Sequence, residues 1–528
     1  MSAMAGTADG LSRSAAGGRN PWLIAGVVSI ATFMEVLDIT ITSVSLDHIA
    51  GSLAVSYDEA TWVTTSYLVS NAIVLPMSGW LANVIGRKRF YMLAVALFTA
   101  SSFLCGIAWN LNSLIFFRVL QGLGGGGLAP SSQSILADTF PPEKRSQAFS
   151  VYGVAIVVAP ALGPTLGGVI TDNASWHWIF FINLPVGLLS LLLVSLLVTE
   201  PPALEEDRRK LLEGGLRIDF VGFLLVALGL GCLEVVLDEG QRDDWFNSSF
   251  ITTFAIISGL ALIALIPWEL TRKDPIVEIR LLGQRQFGIC FAVMLIAGGI
   301  IVSTSQLIPQ IVQTLFGYTA TLAGLAVTYG ALILLVVMPL AGQVLTRVQP
   351  RWAIIFGLGV IAFSMWHLTN LSADVDFAWF AWARVYMSLG LPFIFLSVTT
   401  ASYIGLKPSQ TNQASGLINV ARNLGGSMFV SMTQTVLQQR EQFHTSRLIG
   451  NIDPTAPQYN DAVRAATEYF ASKGSSSVDA ASRSTAWIGQ TIAQQAQLLA
   501  YIDVFWVLGM ICIVAIPFVL LLRPERAP

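Results

Sequence analysis

The sequence is short of charge. Only 12% of its 528 residues are Asp, Glu, Lys or Arg, about half the roughly 25% with which an ordinary soluble domain covers its surface. That shortage excludes a string of soluble domains and a disordered chain. Cysteine is scarce too. The four present, Cys105, Cys232, Cys290 and Cys512, all lie inside apolar runs, so no disulfide framework is implied. Neither sign of charge dominates: 29 Lys and Arg stand against 32 Asp and Glu. A nucleic-acid reader would carry a basic surplus. Also missing are a Walker-type Gly-x-x-x-x-Gly-Lys-Ser/Thr stretch, HExxH, CxxC and Gly-x-Ser-x-Gly. Support for ATP drive within the chain, a metal site, a cofactor or an enzyme is therefore lacking.

What the chain has is apolar length. Hydrophobic residues make up 54%, with a mean hydropathy of +0.66. Fourteen apolar segments centre on 21–46, 60–82, 90–109, 113–137, 147–170, 177–198, 217–237, 250–270, 287–311, 320–345, 352–371, 376–404, 411–437 and 499–522. Each is near the ~20 residues that cross a bilayer as a helix. They are too long for barrel strands, so an all-α polytopic membrane protein is predicted. No cleavable leader is evident, since residues 1–20 are small and polar and the first apolar run is too long for one.

Lys and Arg set the orientation. With the N-terminus in the cytoplasm, twenty of the 29 fall on inner loops and tails. Arg118, Arg384 and Arg422 lie within spans, and six are outside, five of them in the polar segment 438–498. An even number of spans returns the C-terminus to the cytoplasm. Residues 199–216 form a charged inner linker. The segment 438–498 is rich in Gln, Ala and Ser, and its stretch 485–498 runs without a breaker into the last span. That final helix is predicted to project beyond the membrane.

The chain repeats itself at an offset of 266: Arg118-Val119 matches Arg384-Val385, Leu123-Gly124 matches Leu389-Gly390, Pro142 matches Pro408, and Gln147-Ala148 matches Gln413-Ala414. Two six-helix halves follow, with the seventh and eighth spans inserted between them. The predicted organisation is a tail over 1–20, a first bundle over 21–198, the linker and inserted helices over 199–270, and a second bundle over 287–522 that includes 438–498. Parallel halves related by an axis along the membrane normal build one large class of carriers.

Local motifs add detail. The loop after the second span reads Gly79-Trp-Leu-Ala-Asn83-Val-Ile-Gly86-Arg87-Lys88, with glycines for a tight reversal and cations where an anionic leaflet favours them. It resembles the loop signature of the major facilitator superfamily, departing at Asn83 where that family usually has Asp. The fourth span carries Arg118-Val-Leu-Gln121-Gly122, and the fifth carries Pro160-Ala-Leu-Gly163-Pro164-Thr-Leu-Gly167-Gly168. These resemble the family's arginine motif and the motif that marks its exporters. Leu37-Asp38-Ile-Thr40-Ile, Asn183-Leu-Pro185 and Asn419-Val-Ala-Arg422-Asn423 are similar to the 14-helix drug:proton antiporter branch, the EmrB/QacA type. The resemblance covers about residues 20–525. It implies a proton-coupled multidrug exporter of the cell inner membrane, working by alternating access on amphipathic drugs. It also implies a periplasmic membrane-fusion adaptor and an outer-membrane channel as partners. For these, 438–498 would be either a docking surface or a solvated cap. A dedicated exporter of a siderophore or fatty acid, and a non-transporting scaffold or sensor, are the alternatives.

The residues themselves point to where coupling sits. An ionisable side chain inside a span is functional by default. Glu35 and Asp38 are three apart on one helix and share a face, and burial beside another acid favours the protonated form of a carboxyl. Asp38, with or without Glu35, is the predicted proton carrier, and Arg118 is the candidate partner that would hold the other acid of the pair ionised. Glu234 is a third buried acid, on an inserted helix that can stand outside the bundle. Arg384 and Arg422 either orient substrate or staple helices. Asn71, Gln133, Gln306, Gln310 and Tyr329 are candidates for the substrate cavity.

Overall fold

The computed structural model describes residues 20–200, 205, 206, 208, 209, 213, 219–272, 275–407, 410–453 and 455–523; the side chains at 157, 161, 164, 165, 320 and 321 are outside it. The tail over 1–19, most of the 199–216 linker and the side chain of Pro164 therefore fall outside the described residues. The regular elements among those described are all helical.

The first half begins with α1 (Pro21–Val44), where the Asn20 side chain accepts from the Trp22 amide and Pro21 opens the helix, a favoured pairing at a helix start. A short α2 (Leu46–Leu53) leads to α3 (Tyr57–Ile85). Ser56 and Glu59 close a capping box at its start. Next come α4 (Arg87–Gly106) and α5 (Leu111–Gly125), the latter capped reciprocally by Asn110 and Ser113. The fourth span is read from sequence as one helix, but it breaks at Gly126–Gly127 and resumes as α6 (Leu128–Thr139). Four consecutive glycines hold a helix poorly. The half ends with α7 (Pro142–Asn173), α8 (Trp178–Phe181) and α9 (Asn183–Leu197).

The inserted pair is α10 (Phe220–Glu239) and α11 (Ser249–Thr271). The second half runs through α12 (Arg285–Thr314), α13 (Ala320–Val344), α14 (Pro350–Thr369), α15 (Phe377–Ser402) and α16 (Thr411–Gly450), then α17 (Pro457–Ser472) and α18 (Ser477–Val519). Eleven described helices are long and apolar enough to cross a membrane. The broken α5/α6, the 32-residue α7 and the 40-residue α16 occupy the other three predicted spans.

Two helices are far longer than a bilayer needs. At about 1.5 Å per residue, the 40 residues of α16 and 43 of α18 each reach about 60 Å, twice the ~30 Å hydrocarbon core. Their extensions carry the polar segment 438–498, and α17 packs on α18 through Thr467 and Ser484. The predicted projection is thus a helical hairpin with a third helix alongside.

The two halves meet at one end of the bundle, the end that holds Arg87, Lys88, Lys144 and Arg145. Ser134 bonds Ser415, Ser146 bonds the Gly342 carbonyl, and the Phe149 ring stacks on Tyr403. One apolar core runs through both halves. A second is confined to the opposite end of the first half, built around Leu37, Ile41, Val63, Leu114 and Phe180.

Candidate functional site

Asp38 and Arg118 meet in the first half, so of the two acids on α1 it is Asp38 that Arg118 engages. Both are buried, at 1% and 0% exposure. Arg118 Nη1 donates to Asp38 Oδ2 at 2.5 Å, while Gln121 Nε2 and Asn183 Nδ2 donate to Oδ1 at 3.0 and 2.6 Å. Arg118 Nε donates to the Val63 carbonyl at 3.0 Å, and its guanidinium lies 4.3 Å from the Tyr67 ring centre. The carboxylate is held by three donors from α5 and α9. The guanidinium is held by α1, α3 and an aromatic face. A charge pair inside a bilayer persists only with such compensation. A proton on Asp38 would remove the negative charge that faces Arg118 and convert one of its acceptor oxygens into a donor.

Glu35 sits one turn away on α1. Asn71 Nδ2 donates to its Oε1 at 3.2 Å, and its Oε2 has no partner. It lies within electrostatic reach of Arg422 on α16. The Tyr152 hydroxyl faces both Arg422 and Gln133, and Asn419 Nδ2 donates to Gln133 Oε1 at 2.9 Å. A polar cluster thus spans the two halves: Glu35, Asn71, Gln133 and Tyr152 from the first, Asn419 and Arg422 from the second. Within the first half, Gly122 lets α5 approach α3 closely, since a Cβ there would lie 2.0 Å from Ser70 Oγ and 2.5 Å from the Tyr67 carbonyl.

The first inserted helix, α10, does not stand apart. Ser427 on α16 donates to Glu234 Oε1 at 2.6 Å. Thr65 on α3 donates to Asp238 and to Glu239, the latter at 3.0 Å. Gln241 bonds Gln438 and Thr435. The α10 helix and the turn after it therefore tie α3 of the first half to α16 of the second. Glu234→Leu leaves the Ser427 hydroxyl only the long 3.5 Å bond to the Asn423 carbonyl and should lose about 1–3 kcal/mol of stability. Glu234→Gln keeps an acceptor there and should lose clearly less. Thermal unfolding in nanodiscs compares them, and equal losses would remove the Ser427 bond as the cause.

The loop between α3 and α4 is a lock at the basic end. Gly86 has φ +100°, open to glycine and strained for other residues. Glu200 accepts from the Arg87 amide at 2.7 Å, the Arg87 side chain pairs with Asp138 and donates to the Ser134 carbonyl at 3.1 Å, and Lys88 donates to the Ser195 carbonyl. Asn412 Nδ2 donates to Asn83 Oδ1 at 2.6 Å, so the amide that replaces the usual Asp joins the two halves. Gly79 presses on the backbone of Asn412 and Gln413.

In the fifth-span motif, Gly163 packs on Thr40 and Gly167 on Ile41 of α1, while Pro160 is exposed. The cavity candidates divide. Asn71 and Gln133 join the cross-half cluster. Gln310 accepts from Gln434, Gln306 is exposed, and exposed Tyr329 edges onto Phe377. Arg384 reaches Thr304 and Ser305 on α12. Sequence reasoning missed Asp138, Glu200, Asp238 and Glu239, whose partners lie far along the chain. It passed over Asn183 as a contributor to the site, although the motif holding it was noticed.

A helical bundle of paired halves with buried charges between them defines a polytopic membrane protein of the secondary-transporter class. The Major Facilitator Superfamily sequence model matches residues 28–430. The multidrug export protein EmrB of Escherichia coli (strain K12) is 36% identical over 503 residues, 94% of each chain. EmrB of Haemophilus influenzae is 37% identical over 489 residues, 92% of this chain and 93% of that one. The fatty acid resistance protein FarB of Neisseria gonorrhoeae is 34% identical over 497 residues, 94% and 95% of the two chains. Among solved structures, the proton:xylose symporter XylE shares the fold at a TM-score of 0.60 and 15% identity, over 94% of each chain. The chain belongs to the major facilitator superfamily. Within it, the similarity lies with the 14-helix drug:proton antiporter branch.

Proposed function

We propose that this protein exports amphipathic drugs across the cell inner membrane, driven by proton entry, with both termini in the cytoplasm. The observation that carries the reading is the buried Asp38–Arg118 pair, with Glu35 one turn away in a cluster shared by both halves. With the basic end facing the cytoplasm, the contacts that close that end correspond to an outward-facing state. Protons from outside neutralise Asp38, with Glu35 as the second acceptor. Drug departs outward, and the protonated carrier returns and releases its proton inside. The EmrB relatives are named for multidrug export, which supports drugs as substrates. FarB, named for fatty acid resistance, supports fatty acids as a second substrate class. The proton gradient supplies the energy, so the cycle calls for no cofactor and no catalytic step.

Everted vesicles test this. Ethidium uptake should rise with an imposed pH gradient and collapse on adding nigericin. Gradient-independent uptake, or none, would return weight to a scaffold. The α16–α18 hairpin, extending about 30 Å beyond a ~30 Å hydrocarbon core, is in our reading the docking surface for a periplasmic adaptor leading to an outer-membrane channel. Deletion of residues 445–480 should abolish adaptor recovery in pull-down; undiminished recovery would make the hairpin a solvated cap.

A further inference from the structure

The two repeat-related arginines are treated differently. Arg118 has Asp38. Arg384 is 94% buried (6% exposed) and, among the described residues, forms no ion pair. Its Nη1 donates to Thr304 Oγ1 at 3.1 Å and its Nη2 to Ser305 Oγ at 3.2 Å; Met387 Sδ lies 3.9 Å from Nη1. Its Nε has no partner, and neither does the buried Ser388 hydroxyl one turn on. Gly330 of α13 faces this spot. A Cβ there would lie 2.8 Å from Ser388 Oγ and 3.2 Å from Arg384 Cβ. A fixed cation with hydroxyl partners alone is not neutralised, which leaves its charge open to an anionic ligand.

Access and surroundings narrow the ligand. Ser305 is only partly covered and the next residue, Gln306, is exposed. A polar side chain within a span ordinarily faces the bundle interior or water rather than lipid, which places a solvated approach to Arg384 on the Gln306 side, beyond the middle of α12 from its Arg285 end. Nearby, partly covered rings form an aromatic wall, with Phe377 meeting Tyr318 at 6.1 Å and Tyr329 at 6.3 Å, backed by buried Phe380, one turn before Arg384, against Phe316 at 5.2 Å. A charged cradle next to an aromatic wall suits a small anionic head on an apolar tail.

We propose that Arg384, Thr304 and Ser305 bind the carboxylate of an amphipathic substrate such as a long-chain acid. The proposal rests on the export reading for its role in transport, while its binding test stands apart from that reading. The full-length protein in nanodiscs is titrated with dansyl-undecanoic acid and with the methyl ester of the same probe. Wild type should bind the acid about tenfold or more tightly than the ester, the worth of one charged hydrogen-bonded contact. In Arg384→Gln that ratio should fall toward one, and Arg384→Lys should restore part of it. If Arg384→Gln does not fold, Thr304→Val with Ser305→Ala should lower the ratio instead. Equal binding of acid and ester by wild type overturns the proposal, as does an unchanged ratio in folded variants. Ethidium flux in wild-type vesicles reports separately: no flux with the acid preference intact sinks the export reading and leaves the site standing.

Discussion

Asp38→Asn protein should reach the membrane and lose gradient-driven efflux down to the leak of vesicles that lack the protein. The reason lies in the number of donors. Arg118, Gln121 and Asn183 all donate to the two oxygens of Asp38. An asparagine offers one oxygen and one amide group, so at least one of those donors meets another donor. Arg118 also loses its counter-charge at full burial, and removing one partner of a buried pair costs about 3–5 kcal/mol. The variant should therefore melt earlier as well as fail to transport. Pairing it with Arg118→Gln removes the stranded cation and should recover part of the melting temperature without recovering flux. That split separates a proton carrier from a structural pair. Efflux that persists undiminished in Asp38→Asn vesicles would sink the assignment.

Gly79→Val should abolish transport by a different route. A Cβ at Gly79 would lie 2.6 Å from Gln413 Cα and 2.7 Å from its amide nitrogen. Both neighbours are backbone, so no side chain can swing aside. A valine must push α3 away from α16 at the basic end, and packed interiors transmit such displacement rather than absorb it. The bonded pair Asn83 and Asn412 reports on it. With both replaced by cysteine, oxidative cross-linking should be efficient in the otherwise native protein and fall sharply when Gly79→Val is added. Gly79→Ala should lie between. Normal cross-linking and normal efflux in Gly79→Val would show that this approach is not needed for the cycle.

The sequence made the spans legible because lipid demands long apolar helices, and it made Asp38 and Arg118 legible because charge is so costly there. Other features depend on distance across the fold. Asp138 looks like an ordinary loop acid until Arg87 is seen beside it. Asp238 and Glu239 lie near the end of α10, and nothing in their own neighbourhood names Thr65 as their partner. Glu234 was open to a position outside the bundle, because hydropathy reports that a helix meets lipid and says little about which helices it also meets. The break in the fourth span was present as a run of glycine, yet such a run is equally compatible with close helix packing. The Arg118/Arg384 repeat was plain in the sequence, whereas the difference in their partners emerged only in space.

The strap formed by α10 bears on how such a carrier can move. At the basic end α3 and α16 touch directly through Gly79 and Gln413. Toward the other end they are joined through α10, by way of Thr65 on one side and Ser427, Thr435 and Gln438 on the other. One flank of the molecule is thus fastened along much of its height. If the basic end opens in the cycle, the Gly79 contact must part while the α10 ties need not, so α10 is placed to act as the binding of a book whose far cover swings.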